Sequence, residues 1–203
     1  MLHLRTKVWY RLLRGAVYAL VALFIFGMWA GDVREFVSLN GYYRATLIDM
    51  VHGTAYKPFV YRCLVPVCTR AILAMLPGSI LSFLRQGMGS LALVMRALRY
   101  LGWEQAQLPE YSITLAVMYA ALLGFTFALR RLVATLYESE FWLTDLTPIV
   151  ALAVLPVFFK RGTHLVYDFF TLFLFTLGLL LLYRQRWGSY YAVFVLGLCN
   201  KET

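Results

Sequence analysis

Apolar residues run in long, unbroken stretches along this chain, and charged residues gather between them. Seven runs stand out, over residues 15–30, 58–84, 88–103, 112–129, 146–159, 165–183 and 190–199. The runs are continuous rather than alternating, so they predict helices and argue against a β-barrel. A helix needs about 20 residues to cross the hydrocarbon core, and its backbone polar groups are then satisfied internally. Pro58 suits the first turn of the second run, whereas Pro66 and Pro77 should kink or break it. The run at 88–103 carries Arg96 and Arg99, which are costly at mid-membrane. It reads either as a span or as an amphipathic helix in the interface. The run at 112–129 stops at Arg130-Arg131, the run at 146–159 holds Pro148 and Pro156, and Arg184 and Arg186 close the run at 165–183. The predicted fold is all-α: one membrane domain over 1–203, a polytopic transmembrane helical bundle of about six to seven spans. The last run offers only about 15 Å of helix before Asn200-Lys201-Glu202-Thr203. It reads as the start of a longer chain or as a short interfacial tail.

Composition sharpens this picture. Of 203 residues, 62% are hydrophobic, and mean hydropathy is +0.70. The net charge of +9 does not signal nucleic acid, because the excess sits in short blocks beside apolar runs. Arg5, Lys7, Arg11 and Arg14 precede the first run, and no small-residue cleavage site follows it. The first run is therefore expected to stay as an uncleaved span with a cytoplasmic N-terminus, in a multi-pass protein of the cytoplasmic (inner) membrane. With seven spans, Arg85, Arg130-Arg131 and Arg184/Arg186 fall inside, while residues 32–57 and 160–168 fall outside. Lys160 and Arg161 count against that bias, and a non-crossing third run would swap the side of every later loop. Cys63, Cys68 and Cys199 lie in apolar segments without a CxxC pair and read as packing residues.

The candidate chemistry lies in the first outer loop, residues 31–57, which holds Asp32, Arg44, Asp49, His52 and Lys57. Read as a helix, residues 41–56 place Tyr43, Leu47, Met50 and Val51 on an apolar side. Ala45, Asp49, His52 and Tyr56 share a more polar one. That profile predicts an amphipathic juxtamembrane helix, with Asp49 and His52 one turn apart. A solvated face with an incidental Asp/His pair is the plainer alternative. Beyond it, Tyr56 and Tyr61 suit a headgroup-level aromatic belt, and Lys57 suits a snorkelling anchor. Arg62, inside the second run, points to a phosphate or carboxylate partner, because its planar fork bonds two oxygens at once. The turn at 160–168 adds Lys160, Arg161, His164 and Asp168, with Lys160 and Arg161 read first as anchors. An ionisable group such as Asp168 at the start of a span is a functional candidate by default. His3, His52 and His164 lack ligand spacing, so no metal site and no cofactor is expected, and no P-loop, GxSxG or dinucleotide fingerprint occurs.

Asp49, Gly53-Thr-Ala-Tyr56 and Phe59-Val-Tyr-Arg-Cys-Leu-Val-Pro66, with Tyr167-Asp168 opening a later span and Asn200-Lys-Glu-Thr203 in the next, resemble GT-C-type membrane glycosyltransferases. The resemblance implies transfer of a sugar from a lipid-linked phosphosugar, such as a polyprenyl-phosphate sugar, at the outer face of a cell-envelope membrane. It implies that an acidic residue of the first outer loop, Asp49 or Asp32, acts as catalytic base or positions the acceptor. It implies that Arg62, Lys57 and Arg44 meet the donor phosphate, with His52, Tyr61, His164 and Asp168 around the substrate. Membrane lipids are the other expected partners. The competing classes are a transporter or flippase component, and a non-catalytic subunit of a membrane complex. Proline-broken spans and intramembrane Arg96, Arg99 and Asp168 suit a transporter, but the two halves of the sequence show no symmetry.

Overall fold

A computed structural model describes residues 2–32, 46–57, 61–101, 103–137, 140–159 and 167–200. Every regular element among them is helical. They are α1 (Leu2–Asp32), α2 (Leu47–His52), α3 (Leu64–Met75), α4 (Gly78–Ser82), α5 (Ala92–Leu101), α6 (Leu108–Leu136), α7 (Phe141–Phe159), α8 (Asp168–Tyr183) and α9 (Trp187–Asn200), plus short π and 3₁₀ turns. Three stretches are long and apolar enough to cross a membrane: Val8–Ala30, Gln105–Leu136 and Phe141–Phe158. Counting α3 and the bent helix after it as one span makes four. The outer surface fits a lipid solvent. Leu20 and Phe24 on α1, Val157 and Phe158 on α7, and Phe175 on α8 are all exposed.

Side-chain contacts fix the direction of each helix. Arg14 of α1 and Arg130 near the end of α6 both reach Asp145 near the start of α7. Arg184, just past α8, donates to Thr135 near the end of α6. These ends form one pole of the bundle, the basal pole. Trp29, near the end of α1, packs edge-on to Phe169 at the start of α8. Cys63 N–H donates to the Cys199 carbonyl at the end of α9 (3.1 Å). These mark the opposite, distal pole. α1, α6, α7, α8 and α9 thus run between the poles in alternating order from one to the next. The core shared by α1, α6, α7 and α8 is Ala22, Phe26 and Trp29 of α1, Met118 and Leu122 of α6, Leu152 of α7 and Phe169 of α8.

The segment from α3 to α5 differs from the expected second and third spans. α3 begins at the distal pole, and Thr69 meets Thr114 of α6 in a buried hydroxyl pair at 3.0 Å. The chain then turns through 113°, and Gln105, just before α6, donates to the Arg85 carbonyl (3.3 Å). The segment therefore leaves and returns at the same pole. Pro77 makes the break, since it cannot donate to a continuing helix; Pro66 sits in the first turn of α3 and is accommodated there. α5 is only 10 residues long, amphipathic, with Arg96 and Arg99 exposed. At about 15 Å it is too short to cross the hydrocarbon core. Arg62, Arg70 and Arg85 stand toward the distal pole and Arg14, Arg130 and Arg184 toward the basal one, so the described arginines favour neither end.

α6 is about 43 Å long at 1.5 Å per residue, so its first turns overhang the shorter α8 and carry α2 and α3. Its close contact with α8 depends on Gly124. A Cβ there would sit 2.8 Å from the Phe173 ring. Gly124→Ala is expected to force that ring aside and cost about 1–3 kcal/mol. Thermal unfolding in detergent measures it; an unchanged midpoint would show the ring moves freely.

Candidate functional site

The predicted amphipathic helix at 41–56 is a single short helix, α2. Residues 41–45, Arg44 included, lie outside the described residues. Gly53, at φ 76°, ends α2 in the left-handed conformation that glycine adopts without strain. Tyr56 therefore leaves the face it was expected to share with Asp49. Leu47, Met50 and Val51 are buried as expected, and they hold α2 against the bundle.

Asp49 is engaged within its own turn. Its Oδ2 accepts from Thr46 N–H (3.3 Å) and from the Thr46 hydroxyl (2.7 Å), and Thr46 Oγ1 accepts from Asp49 N–H (3.1 Å). This is a reciprocal capping box. Oδ1 takes the Thr54 hydroxyl at 3.3 Å. The carboxylate thus closes the start of α2 and ties down the loop after it. His52 is exposed. A Cβ on Gly53 would lie 3.8 Å from Arg70 Nη1, so a cation of α3 that the sequence did not single out stands beside this turn.

Arg62, by contrast, reaches across the chain. Its guanidinium lies 4.4 Å from the centre of the Tyr167 ring and donates to the Tyr167 hydroxyl. Tyr167 is the residue before α8, and Asp168 opens that helix, where a negative side chain complements the helix dipole. Asn200, at the end of α9, donates to the Tyr167 carbonyl and to Thr171 Oγ1, both at 3.0 Å. Arg62, just before α3, Asp168, at the start of α8, and Asn200, at the end of α9, are thereby gathered at the distal pole. The start of the second run and the Tyr167-Asp168 turn thus meet. Lys57 and Tyr61 stand beside it, the ammonium 5.7 Å from the ring. The Tyr61 hydroxyl holds the Lys57 pKa above its ordinary value. His164, Lys160, Arg161, Lys201 and Glu202 lie outside the described residues, and of Asp32 only the backbone, at the end of α1, is described. Among the described residues, no group of three or more His, Cys, Asp or Glu is placed to hold a metal.

A second polar cluster, at the basal pole, escaped the sequence reading. Asp145 Oδ1 takes Arg130 Nε at 2.5 Å and Arg14 Nη1 at 3.3 Å. Its Oδ2 accepts from the Tyr10 hydroxyl. Its carbonyl accepts from the Tyr18 hydroxyl at 2.9 Å. One carboxylate thus joins α1, α6 and α7. The cluster is a tie between helices, with every acceptor already engaged.

No protein-family model, no curated protein and no solved structure matches the chain.

Proposed function

We propose that this chain belongs to a multi-pass membrane protein of the GT-C glycosyltransferase-like kind, which transfers a sugar from a lipid-linked phosphosugar at the distal pole. The observation that carries this reading is the gathering of Arg62 with the Tyr167-Asp168 turn. Sugar transfer from a phosphate donor needs a cation for the departing phosphate and a carboxylate to activate or orient the acceptor. Both stand at one end of the bundle.

The reading shifts the weight among the acids. Asp49 is a capping residue by its hydrogen bonds, so Asp168 is the stronger candidate for the acid, with Asp32 and Asp49 behind it. Arg62 is the phosphate ligand, and Lys57 the nearest further cation. Five crossings follow if α8 and α9 count with the three long helices, with the bent pair at α3–α4 dipping into the membrane and returning to the same pole. The cytoplasmic N-terminus rests on Arg5, Lys7, Arg11 and Arg14, because the first helix usually dominates orientation. The distal pole is then the outer face of the inner membrane.

The test is sugar transfer from a polyprenyl-phosphate sugar by the full chain in nanodiscs. Asp168→Asn is expected to lose about 10²–10⁴-fold in rate. Asp49→Asn is expected to keep the rate and lose stability. Full activity in Asp168→Asn, Asp49→Asn and Asp32→Asn alike would remove the transferase reading and leave a transport or subunit role.

A further inference from the structure

Charge sets the segment from α4 to α5 apart from the rest of the chain. Between Asp49 and Glu104 the sequence holds no acid, yet it holds Lys57, Arg62, Arg70, Arg85, Arg96 and Arg99. Arg85, Arg96 and Arg99 follow the bend at Pro77, and all three are exposed. Among the described residues, the ion pairs are those of Asp145 at the basal pole, so no carboxylate offsets these three arginines. Arg99 Nε donates to the Met95 carbonyl (3.3 Å), a contact within its own helix.

Apolar side chains stand exposed among these cations. Ile80, Phe83 and Leu91 are 42%, 62% and 55% exposed. On the sides of the bundle such exposure faces acyl chains. Here it stands at one end, interleaved with arginines. That mixture suits an element lying in a membrane interface, with apolar groups among the upper acyl chains and basic heads at the phosphates. α5 has the matching two sides. Leu98 is buried, and Arg96 and Arg99 stand one turn apart on the exposed side.

The helical stretch Gln105–Leu136 measures the depth. Arg130, tied to Asp145, marks its basal end. From there back to Gln105 is about 37 Å. That exceeds the hydrocarbon core of about 30 Å and lies within the 40–45 Å or so that includes the headgroups. Gln105 holds the Arg85 carbonyl (3.3 Å). Trp103 stacks on Tyr111 with ring centres 4.1 Å apart, and its N–H donates to the Leu98 carbonyl (2.9 Å). Arg85 and the end of α5 are thereby fastened to the start of α6, one membrane thickness from the basal tie.

We infer that the segment from α4 to α5 lies on the distal membrane surface and binds anionic phospholipid. Arg85, Arg96 and Arg99 take the lipid phosphates, and Ile80, Phe83 and Leu91 enter the upper acyl layer. The partner carries net negative charge, because the segment offers cations with no acid to balance them. The inference does not depend on the proposed transfer reaction, and its readout needs no activity.

The full chain is placed in phosphatidylcholine nanodiscs with a trace of probe lipid that carries a diazirine in its acyl chain. The probe is either phosphatidylglycerol or phosphatidylcholine, and adducts are mapped by mass spectrometry. Adducts on Leu20 and Phe24 of α1, exposed on the side of the bundle, serve as the reference. Phosphatidylglycerol is expected to label Ile80, Phe83 and Leu91 at least fivefold more than phosphatidylcholine, since each basic residue at an anionic surface contributes about fivefold. The preference is expected to fade at 0.5 M salt, where charges are screened. The triple variant Arg85→Gln, Arg96→Gln, Arg99→Gln is expected to lose the preference but keep phosphatidylcholine adducts on the same residues, with the α1 adducts unchanged. Lysine at the same three positions is expected to retain most of it. Absence of adducts on the segment with either probe would leave it in water, with its arginines free for a soluble anionic partner, and overturns the proposal. So does equal labelling by the two lipids, or a preference that survives the triple glutamine variant.

Discussion

Asp145→Ala is expected to destabilise the bundle by about 3–5 kcal/mol, the cost of stripping one partner from a largely buried ion pair. Asp145 is 13% exposed at its side chain, and Arg14 and Arg130 are 19% and 23% exposed. Removing the carboxylate leaves two guanidinium groups facing each other with no anion between them. It also strips the Tyr10 hydroxyl of its acceptor. Asp145→Asn keeps the shape and one acceptor oxygen but not the charge, so most of the loss should persist. Thermal unfolding of the detergent-purified protein measures both. A triple variant in which Arg14 and Arg130 become Met alongside Asp145→Leu separates two explanations. Recovery of stability in the triple variant would show that the uncompensated charges are the cost, as replacing buried ion networks by apolar packing is often neutral or stabilising. A drop under about 1 kcal/mol in Asp145→Ala, the worth of an exposed pair, would show that water reaches the cluster freely.

This tie also shows what a single sequence hides. Arg14, Arg130 and Asp145 each stand beside an apolar run, and each alone reads as an anchor at the membrane surface. Their meeting depends on the alternation of α1, α6 and α7. The alternation itself was readable: Arg14 and Arg130 were already expected on the same side. An acid at the start of a span on that side was the available signal, and it was not used. The long helices were legible because lipid selects continuous apolar runs, and Arg96 and Arg99 already pointed to the interfacial form of α5. The ends were less legible. Leu108-Pro109 opens α6 because proline fits the first turn of a helix, yet the same dipeptide after Gln105-Ala106-Gln107 looks like a loop. Gly53 cut α2 short for a backbone reason that a face-by-face reading does not see. At the distal pole, the Tyr167-Asp168 turn and Arg62 were both marked, but nothing local told that Tyr167 would hold the arginine.

Arg62→Gln is expected to lower sugar transfer by about 10²–10³-fold, the usual effect of removing one group that stabilises a developing anion. The side chain is placed for that role by its Tyr167 contacts rather than by a carboxylate of its own turn. Its guanidinium is held over the Tyr167 ring, and a planar guanidinium can bond two phosphate oxygens at once. Arg62→Lys keeps the charge and loses both the fork and the stack, so it should recover only part of the rate. Tyr167→Phe keeps the ring under the guanidinium but removes the hydroxyl contact, and should fall between the two. The decisive comparison is rate against stability across the three variants. If the rate falls in this order while the unfolding midpoint stays within a few degrees, Arg62 acts on the donor. If the midpoint falls and the rate per folded molecule does not, Arg62 is a brace between α3 and α8, and the phosphate must be held by other cations at the distal pole.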